Sequence, residues 1–251
     1  MQKKKSLGQH FLHSRSYLQA IVHAAEIKAG ERVLEIGPGD GALTRELLAA
    51  GAEVVAIEKD ARLILVLRER FAGQTLTVIE DDALEFNTEG HLLSYKVVGN
   101  IPYYITGALL RKFLSAEHQP SLLVFLIQKE VAERIARSKK ESILSLSIKA
   151  YGKPIFIKKV PRGAFAPPPK VDSAILAVKN ISRNNFTSAA HEKKFFALLH
   201  AGFGSKRKLL KRNLEPLLGK NYTSIFTKEE IPEQARAEDV HLEKWLSLAN
   251  Y

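Results

Sequence analysis

The chain has 251 residues, of which 45% are hydrophobic, and it carries a formal net charge of +11. It contains no cysteine, which excludes disulfides, thiolate metal ligands and a cysteine nucleophile. Its apolar runs are far shorter than the roughly 20 residues of a membrane-spanning helix. We therefore expect a cytoplasmic protein with one large core or a core plus a small domain, a polyanionic partner and no membrane partner.

Apolar strands and amphipathic helices alternate along the first half of the chain. A helix is predicted over residues 14–27, with Ser14 or Ser16 as its cap. The elements predicted after it are strand 31–37, helix 42–51, strand 52–60, helix 61–71 and strands 76–84, 95–100 and 121–128. This alternation is typical of a parallel sheet that is covered by helices on both faces.

The pattern changes after residue 150. Residues 154–160 and 173–180 are predicted as two strands joined by a proline-rich turn, and the polar stretch 180–190 is predicted as a linker. Beyond it, residues 191–203, 206–219 and 242–250 have a helical pattern, and no strand is predicted. We therefore predict one domain over residues 1–180 and a helical domain over residues 181–251.

A glycine-rich loop, "EIGPGDGALT", follows the first strand of the sheet. Gly37, Gly39 and Gly41 allow a tight turn and the close approach of a ligand. Glu58 ends the next strand, about 20 residues after Gly39, where a carboxylate can bind a ribose diol. Glu35, just before the loop, would repel a phosphate. It suits a ligand that carries an amine and a sulfonium, and the pattern therefore predicts S-adenosylmethionine as the cofactor.

Two neighbouring aspartates follow the third strand. Either could accept a hydrogen bond from the adenine amino group of the cofactor. We favour Asp82 over Asp81 because Asp82 immediately precedes the apolar segment "ALEF".

The segment "GNIPYYIT" follows the fourth strand and combines an amide, a proline and two tyrosines. The exocyclic amine of adenine is a poor nucleophile because its lone pair is delocalised into the ring. The side-chain oxygen of Asn100 and the backbone carbonyl of Ile101 or Pro102 could accept hydrogen bonds from this amine and favour a more tetrahedral nitrogen. Tyr103 could stack on the base, and Pro102 would fix the backbone between the two groups.

Seven motifs together resemble the KsgA-type small-subunit ribosomal RNA adenine dimethyltransferases, from about residue 6 to residue 245. They are "GQHFL", "EIGPGDGALT", "IEKD", "DDALEF", "GNIPYYI", "FAPPPKVDSAIL" and "GSKRKLLKRNL". The resemblance implies a class I S-adenosylmethionine-dependent methyltransferase with a Rossmann-like, seven-stranded sheet and a small C-terminal all-helical domain. It also implies dimethylation of two adjacent adenosines in the 3′-terminal hairpin loop of 16S rRNA, late in ribosome biogenesis.

The resemblance also implies roles for particular residues. It places His10 and Leu12 in the cofactor site with Gly37, Glu58, Asp82 and Asn100. It implies that Phe165 holds the target base on the face opposite Tyr103. His10 often stands as asparagine and Ile101 as leucine in the family, and both differences leave the chemistry intact.

Two basic segments suit phosphate contacts, which supply affinity without sequence information. One is the stretch 151–170, which has five lysines or arginines and no acid. The other is "SKRKLLKR", and its predicted RNA-binding residues are Lys206, Arg207, Lys208, Lys211 and Arg212. The helix-like stretch 129–142 is interpreted as a solvated face, with RNA contact as the alternative.

No metal site is predicted, because His10 and His13 lack a nearby carboxylate or thiol to complete a ligand set. The expected partner is the immature small (30S) ribosomal subunit, which the protein would bind as a monomer. Two alternatives stay open: a methylase of large-subunit rRNA or of small-molecule amines, and a non-enzymatic checkpoint or assembly role. The small domain and the basic charge disfavour a small-molecule substrate.

Overall fold

The computed structural model describes residues 10–88, 94–205 and 207–251. The strands are β1 (Phe11–Leu12), β2 (Arg32–Ile36), β3 (Glu53–Glu58), β4 (Leu76–Glu80), β5 (Lys96–Asn100), β6 (Leu122–Gln128), β7 (Lys153–Val160), β8 (Phe165–Ala166) and β9 (Ser173–Lys179). The helices are α1 (Arg15–Ala24), α2 (Ala42–Ala49), α3 (Ala61–Arg70), α4 (Thr106–Ser115), α5 (Lys129–Ala136), α6 (Ile143–Lys149), α7 (Ala189–Gly204), α8 (Leu210–Leu218), α9 (Tyr222–Lys228) and α10 (Leu242–Leu248).

Seven strands form one sheet in the order β4-β3-β2-β5-β6-β9-β7. The strands from β2 to β6 run parallel, whereas β9 is antiparallel to both of its neighbours, β6 and β7. The predicted seven-stranded sheet is therefore confirmed. The chain builds outward from β2 to β4 and then crosses to the other side of β2, and ligands bind at the carboxyl ends of strands where the order reverses in this way.

The register of the central strands sets the position of the residues that follow them. Ile36 at the end of β2 pairs with Ile57 of β3 and with Gly99 of β5. The next residue of each chain segment therefore lies at the same edge of the sheet, and these residues are Gly37, Glu58 and Asn100. The apolar runs of β2, β3, β5 and β6 are largely buried, as expected for a sheet covered on both faces, whereas only Val78 is buried in the edge strand β4.

The chain forms two compact units, and each of them is built from two separate segments of the sequence. One contains the described residues up to 132 together with 153–181, and the other contains 133–152 and 182–251. The predicted boundary near 181 lies where the chain enters the second unit for the second time. The prediction placed residues 133–152 in the first domain, but Leu146 and Ala150 belong to the core of the helical unit, and Ile143 packs against it.

The helical unit has its own core around the single tryptophan. Trp245 is fully buried, its indole nitrogen donates to the Val240 carbonyl over 3.1 Å, and its ring stacks with Phe203. A Cβ on Gly202 would lie 2.4 Å from the Trp245 ring, so a glycine is what allows this close approach. Phe195, Phe203 and Trp245 are buried in this core, and Phe196 is partly buried against it.

Some element limits differ from the prediction. The helix predicted from residue 206 begins at Leu210, and the predicted strand 76–84 ends at Glu80. Ser14 stands at the capping position before α1, but its hydroxyl contacts the Ser16 hydroxyl and no helix N–H. The prediction missed α4, α6, α9 and the short pair β1 and β8. Among the described residues, no helix is both long and apolar enough to cross a bilayer.

Candidate functional site

A cavity of about 280 Å³ opens at the carboxyl edge of the parallel strands. Its volume is close to the lower end of the range for small-molecule sites, about 300–1,000 Å³. Residues 10–12, the β2–α2 loop, the end of β3, and residues 81–84 and 100–105 line it. These are the segments that the strand register and the crossover bring together.

The β2–α2 loop turns through three glycines in the left-handed region. Gly37, Gly39 and Gly41 have φ angles of 64°, 61° and 81°, which side chains rarely allow. A Cβ on Gly39 would also lie 2.7 Å from the ring of Phe11. The loop therefore presents bare backbone to the cavity, as its sequence predicts.

Glu58 connects the end of β3 to this loop. One carboxylate oxygen accepts from the Gly39 backbone N–H over 3.2 Å, and the other accepts from the N–H groups of Lys59 and Asp60, both over 2.9 Å. Burial raises the pKa of Glu58, and the backbone hydrogen bonds act in the opposite direction. The side chain is therefore held in one position at the cavity wall.

Glu35 is a buried carboxyl group with one unsatisfied oxygen. Oε2 accepts from the Thr44 hydroxyl over 2.7 Å, whereas Oε1 has no hydrogen-bond partner among the described residues. Burial, together with the charges of Glu58 and Asp40, raises the pKa of Glu35 to about 8. A buried acid that lines a cavity with a free oxygen is poised to interact with a cation.

The two aspartates after β4 both line the cavity. Asp82 forms an ion pair with Lys59 over 2.7 Å and accepts from the Leu84 N–H over 2.9 Å. The hydrogen bond from Lys59 is the main reason that the pKa of Asp82 is lowered. Asp81 accepts from the Asp82 backbone N–H over 2.7 Å. Of the two aspartates, Asp82 is therefore the one whose side chain contacts Lys59 and the adjoining loop.

The Asn100 amide is oriented by the first described residue of the chain. Its nitrogen donates to the His10 backbone carbonyl over 2.9 Å, and this hydrogen bond assigns the positions of the amide nitrogen and oxygen. The oxygen accepts no hydrogen bond from the described part of the protein. The His10 ring contacts the Pro167 carbonyl over 2.8 Å and lies 6.3 Å from the Tyr103 ring at an interplanar angle of 22°.

Tyr103 is fixed at the start of a short 3₁₀ turn, Tyr103–Ile105. Its hydroxyl lies 2.6 Å from that of Ser173 on β9, and burial raises its pKa. Pro102 has a φ of −59°, and its carbonyl accepts from the Ile105 N–H over 3.2 Å. The half-buried Tyr103 ring and the Asn100 amide thus keep a fixed relation across Pro102.

Most of the predicted site residues meet at the cavity. Those that line it are His10, Leu12, Gly37, Gly39, Glu58, Asp82, Asn100, Pro102 and Tyr103. Phe165 does not: it is 5% exposed, pairs with Leu12 across the β1–β8 ladder and packs in the core. Sequence reasoning missed Lys59, Tyr104 and Ser173. The first two adjoin named motif residues, whereas only the sheet topology brings Ser173 to Tyr103.

Most of the predicted RNA-binding residues that the structure describes are exposed, and one of them is held in an ion pair. Arg207, Lys208 and Arg212 are exposed, and Lys211 forms an ion pair with Glu233 over 2.8 Å. Lys206 lies outside the described residues. Among those described, no group of three or more His, Asp or Glu side chains is arranged to hold a metal ion.

Comparison with known proteins gives consistent matches over the whole chain. A model of the family described as ribosomal RNA adenine dimethylase matches residues 1–251. The chain is 41% identical to ribosomal RNA small subunit methyltransferase A of Dehalococcoides mccartyi, over 99% of this chain and 88% of that protein. It is 38% identical to the protein of the same name from Crocosphaera subtropica, over 100% of this chain and 98% of that one.

Two solved structures are similar over nearly their full length. The dimethyladenosine transferase from Plasmodium falciparum has a TM-score of 0.80 and 29% identity, covering 95% of this chain and 96% of that one. The 23S rRNA methyltransferase ErmE has a TM-score of 0.79 and 28% identity, covering 96% of this chain and 98% of that one. Both similarities extend well beyond the sheet.

The buried acid Glu35 makes stability depend on pH. In the folded protein it keeps its proton up to about pH 8, but when unfolded it loses the proton near its ordinary value of 4.5. The free energy of unfolding should therefore fall as the pH rises through this window. Glu35→Gln, whose amide oxygen can still accept from Thr44, should reduce the fall between pH 5 and pH 8 by roughly 3 to 4 kcal/mol. Urea unfolding followed by circular dichroism at both pH values measures it.

Glu80→Gln is the matched control, because Glu80 ends the neighbouring strand β4 with an exposed side chain. It should leave the pH dependence as in the wild type. Equal pH dependence in the wild type and Glu35→Gln would contradict the assignment of this buried proton to Glu35.

Proposed function

Because the chain belongs to the ribosomal RNA adenine dimethylase family, we propose that it methylates two adjacent adenosines in the 3′-terminal hairpin loop of 16S rRNA, with S-adenosylmethionine as methyl donor. The family match confirms the resemblance seen in the motifs. The chain is therefore an enzyme that dimethylates adenine in ribosomal RNA. The observation that best supports the chemistry is the Asn100 amide. Its nitrogen is held by His10 and its oxygen is free at a cavity that suits a cationic nucleoside.

The cavity fits S-adenosylmethionine better than a dinucleotide. A side chain on Gly39 would collide with the Phe11 ring, so the loop keeps bare backbone at the cavity, and Glu35 places an unsatisfied oxygen in the wall. Among the described lining residues, five carry carboxyl groups (Glu35, Asp40, Glu58, Asp81 and Asp82) and one, Lys59, carries an amine. Even with Glu35 protonated, the other carboxyl groups outnumber the single amine, and this surplus repels a pyrophosphate and attracts an amine and a sulfonium.

Each part of the cofactor has a candidate partner. Within the described part of the chain, Oε2 of Glu58 accepts only from the Gly39 N–H and has a lone pair left for a ribose hydroxyl, and the backbone at Gly37 and Gly39 allows the ligand to approach closely. Asp82 can accept from the adenine amino group, with Lys59 fixing its orientation. When bound, the cofactor supplies an electrophilic methyl group.

The acceptors for the target amine are the Asn100 side-chain oxygen and a backbone carbonyl. Of the two carbonyls that the sequence left open, that of Pro102 already accepts from the Ile105 N–H, which favours Ile101. Two acceptors aimed at the amine hydrogens stabilise a tetrahedral nitrogen as its lone pair attacks. No strong base is required, since the methylated amine loses its proton readily.

Tyr103 is the proposed stacking surface for the target base. Its hydroxyl is anchored on Ser173, so the ring can hold a base without reorienting first. For Phe165 to cover the opposite face of the base, as the family resemblance implies, its ring would have to leave its packing around Leu12. We therefore assign the larger part of base positioning to Tyr103.

The RNA contacts are assigned to the basic segment before and within α8. Arg207, Lys208 and Arg212 are exposed, and we include Lys206 on its sequence alone. Lys211 would have to exchange Glu233 for a phosphate, which is feasible because exposed ion pairs are weak. The partner proposed for this surface is the immature small subunit in the cytoplasm, bound by a monomer.

The large-subunit target is the second candidate, because the chain is 28% identical to ErmE. The small-subunit relatives are nearer, at 38% and 41%, and we therefore favour 16S rRNA. Mapping the modified nucleotides in both rRNAs after reaction distinguishes the two targets. Dimethyladenosine that forms only in 23S rRNA would reject the small-subunit assignment.

Cofactor binding should depend on Glu58 and not on its neighbour in the sheet. Glu58→Ala should weaken the binding of S-adenosylmethionine by about tenfold or more, because it removes a charged hydrogen-bond acceptor at the cavity wall. Glu80→Ala is the control, since Glu80 pairs with Glu58 across the ladder and points to solvent. Isothermal titration calorimetry measures both affinities, and equal losses would contradict the ribose assignment.

Methylation should depend on the Asn100 oxygen. Wild-type protein with S-adenosylmethionine and unmodified small subunits should yield dimethyladenosine, detected by mass spectrometry of the rRNA. Asn100→Ala should lower the rate by about 100-fold or more, because it removes a hydrogen-bond acceptor used in the transition state. The affinity for subunits should stay unchanged, so that binding and chemistry are separable.

Asn100→Asp is a matched variant that keeps an acceptor oxygen but cannot donate to His10. It should retain more activity than Asn100→Ala. No product from the wild type at saturating cofactor would reject the proposed reaction. A variant that loses binding and methylation together would reject a separate binding role.

Charge reversal in the basic segment should weaken RNA binding. Arg207→Glu combined with Lys208→Glu should raise the Kd for small subunits and lower the slope of log K against log salt by about one for each phosphate that is no longer bound. Cofactor affinity should not change. Lys193→Glu with Lys194→Glu makes the same change of charge on α7 and is the control. Binding that is insensitive to salt would contradict the phosphate contacts.

A further inference from the structure

Tyr104 is the most exposed large hydrophobic side chain of the described residues, and it lies at the rim of the cavity. It is 72% exposed, whereas the preceding Tyr103 is half-buried and bonded to Ser173. No described residue provides Tyr104 with a hydrogen bond or a ring contact. A large ring that stays in water beside a binding cavity is a candidate contact for a ligand.

The position of Tyr104 is set by packed structure on both sides. Consecutive side chains in a 3₁₀ turn point about 120° apart, so a ring next to the anchored Tyr103 must point elsewhere. The turn begins at the fixed φ of Pro102 and leads directly into α4, where Leu109 and Leu110 are fully buried. The fold therefore holds the Tyr104 side chain outward. The backbone of Tyr104 loses little conformational freedom when a ligand binds to the ring.

A cation lies at the same opening. The Lys59 side chain is 67% exposed and also lines the cavity. Asp82 and, more weakly, Tyr104 raise the pKa of Lys59, which agrees with a shared rim. An aromatic face beside an ammonium group is the combination that binds single-stranded nucleic acid by stacking and by phosphate contact.

We propose that Tyr104, with Lys59 beside it, forms a second nucleotide subsite, on which the base next to the target adenosine stacks. This inference rests on the proposed function, since it needs an RNA whose target base has entered the cavity. A base that leaves its stack uncovers one face of its neighbour. The ring of Tyr104 covers that face. Lys59 stays paired with Asp82 and has further N–H donors that can contact the phosphate. Where two target adenosines are adjacent, the stacked neighbour is the other target.

Kinetics on unmodified small subunits tests the subsite. Tyr104→Ala should raise the KM for subunits by about 5- to 150-fold, the range that corresponds to loss of one base–aromatic stack. Tyr104→Phe keeps the ring and should stay close to the wild type. Tyr104→Leu keeps apolar bulk without a flat ring and should resemble the alanine variant. The KM for S-adenosylmethionine should be unchanged in all three, and each should fold, because the side chain is exposed.

A change in the RNA gives an independent measurement. Small subunits reconstituted with uridine in place of one of the two adenosines offer a poorer stacking partner beside the remaining target. This replacement should raise the KM of the wild type but leave that of Tyr104→Ala unchanged, since the stack is already absent. Additive effects of the two changes would overturn the proposed contact.

The outcomes separate this inference from the proposed function. A wild type that forms no dimethyladenosine on small subunits rejects the proposed function. An active wild type whose KM for subunits is unaffected by Tyr104→Ala rejects only the subsite, and so does a leucine variant that matches the phenylalanine variant.

Discussion

The register of β2 with its two parallel neighbours is the constraint on which the site depends. Ile36 is level with Ile57 and with Gly99, so the three strands end together and their next residues face one cavity. A Cβ on Gly99 would lie 2.9 Å from the Ile36 carbonyl, so glycine is what lets β5 lie this close to β2. A shift by one residue would turn Asn100 or Glu58 to the other face of the sheet. Positions that look like ordinary strand core therefore determine the alignment of the functional groups.

The same cavity concentrates groups that oppose folding. Glu35 is buried with an unsatisfied oxygen, and the pKa values of Glu35 and Glu58 are both raised by burial. A core with apolar side chains at these positions would avoid the cost of burying acid. The arrangement is understandable if a cationic ligand balances these carboxyl groups, because ligand binding then recovers some of the stability that burying them costs.

The sequence predicts the parts of the site that follow a strand directly. The glycine loop, Glu58, Asp82 and Asn100 each come next to an apolar run, so strand order alone brings them to one edge. It does not predict partnerships that depend on the remote half of the chain. Ser173 reaches Tyr103 because β9 runs antiparallel next to β6, and residues 133–152 join the helical unit through contacts with segments far along the chain. Neither relation leaves a local pattern in hydrophobicity or spacing.

Phe165 and Tyr104 show that the sequence does not predict the environment of a single aromatic side chain. The motif resemblance assigns Phe165 to the target base, yet its ring packs against Leu12 in the core. Tyr104 adjoins a motif residue of the same type, and nothing in the letters "YY" separates the two rings. Their environments differ because a 3₁₀ turn points them apart and only Tyr103 finds a buried hydroxyl partner. The geometry of one 3₁₀ turn therefore places the Tyr103 ring inside the cavity, where Ser173 anchors it, and the Tyr104 ring in water at the rim.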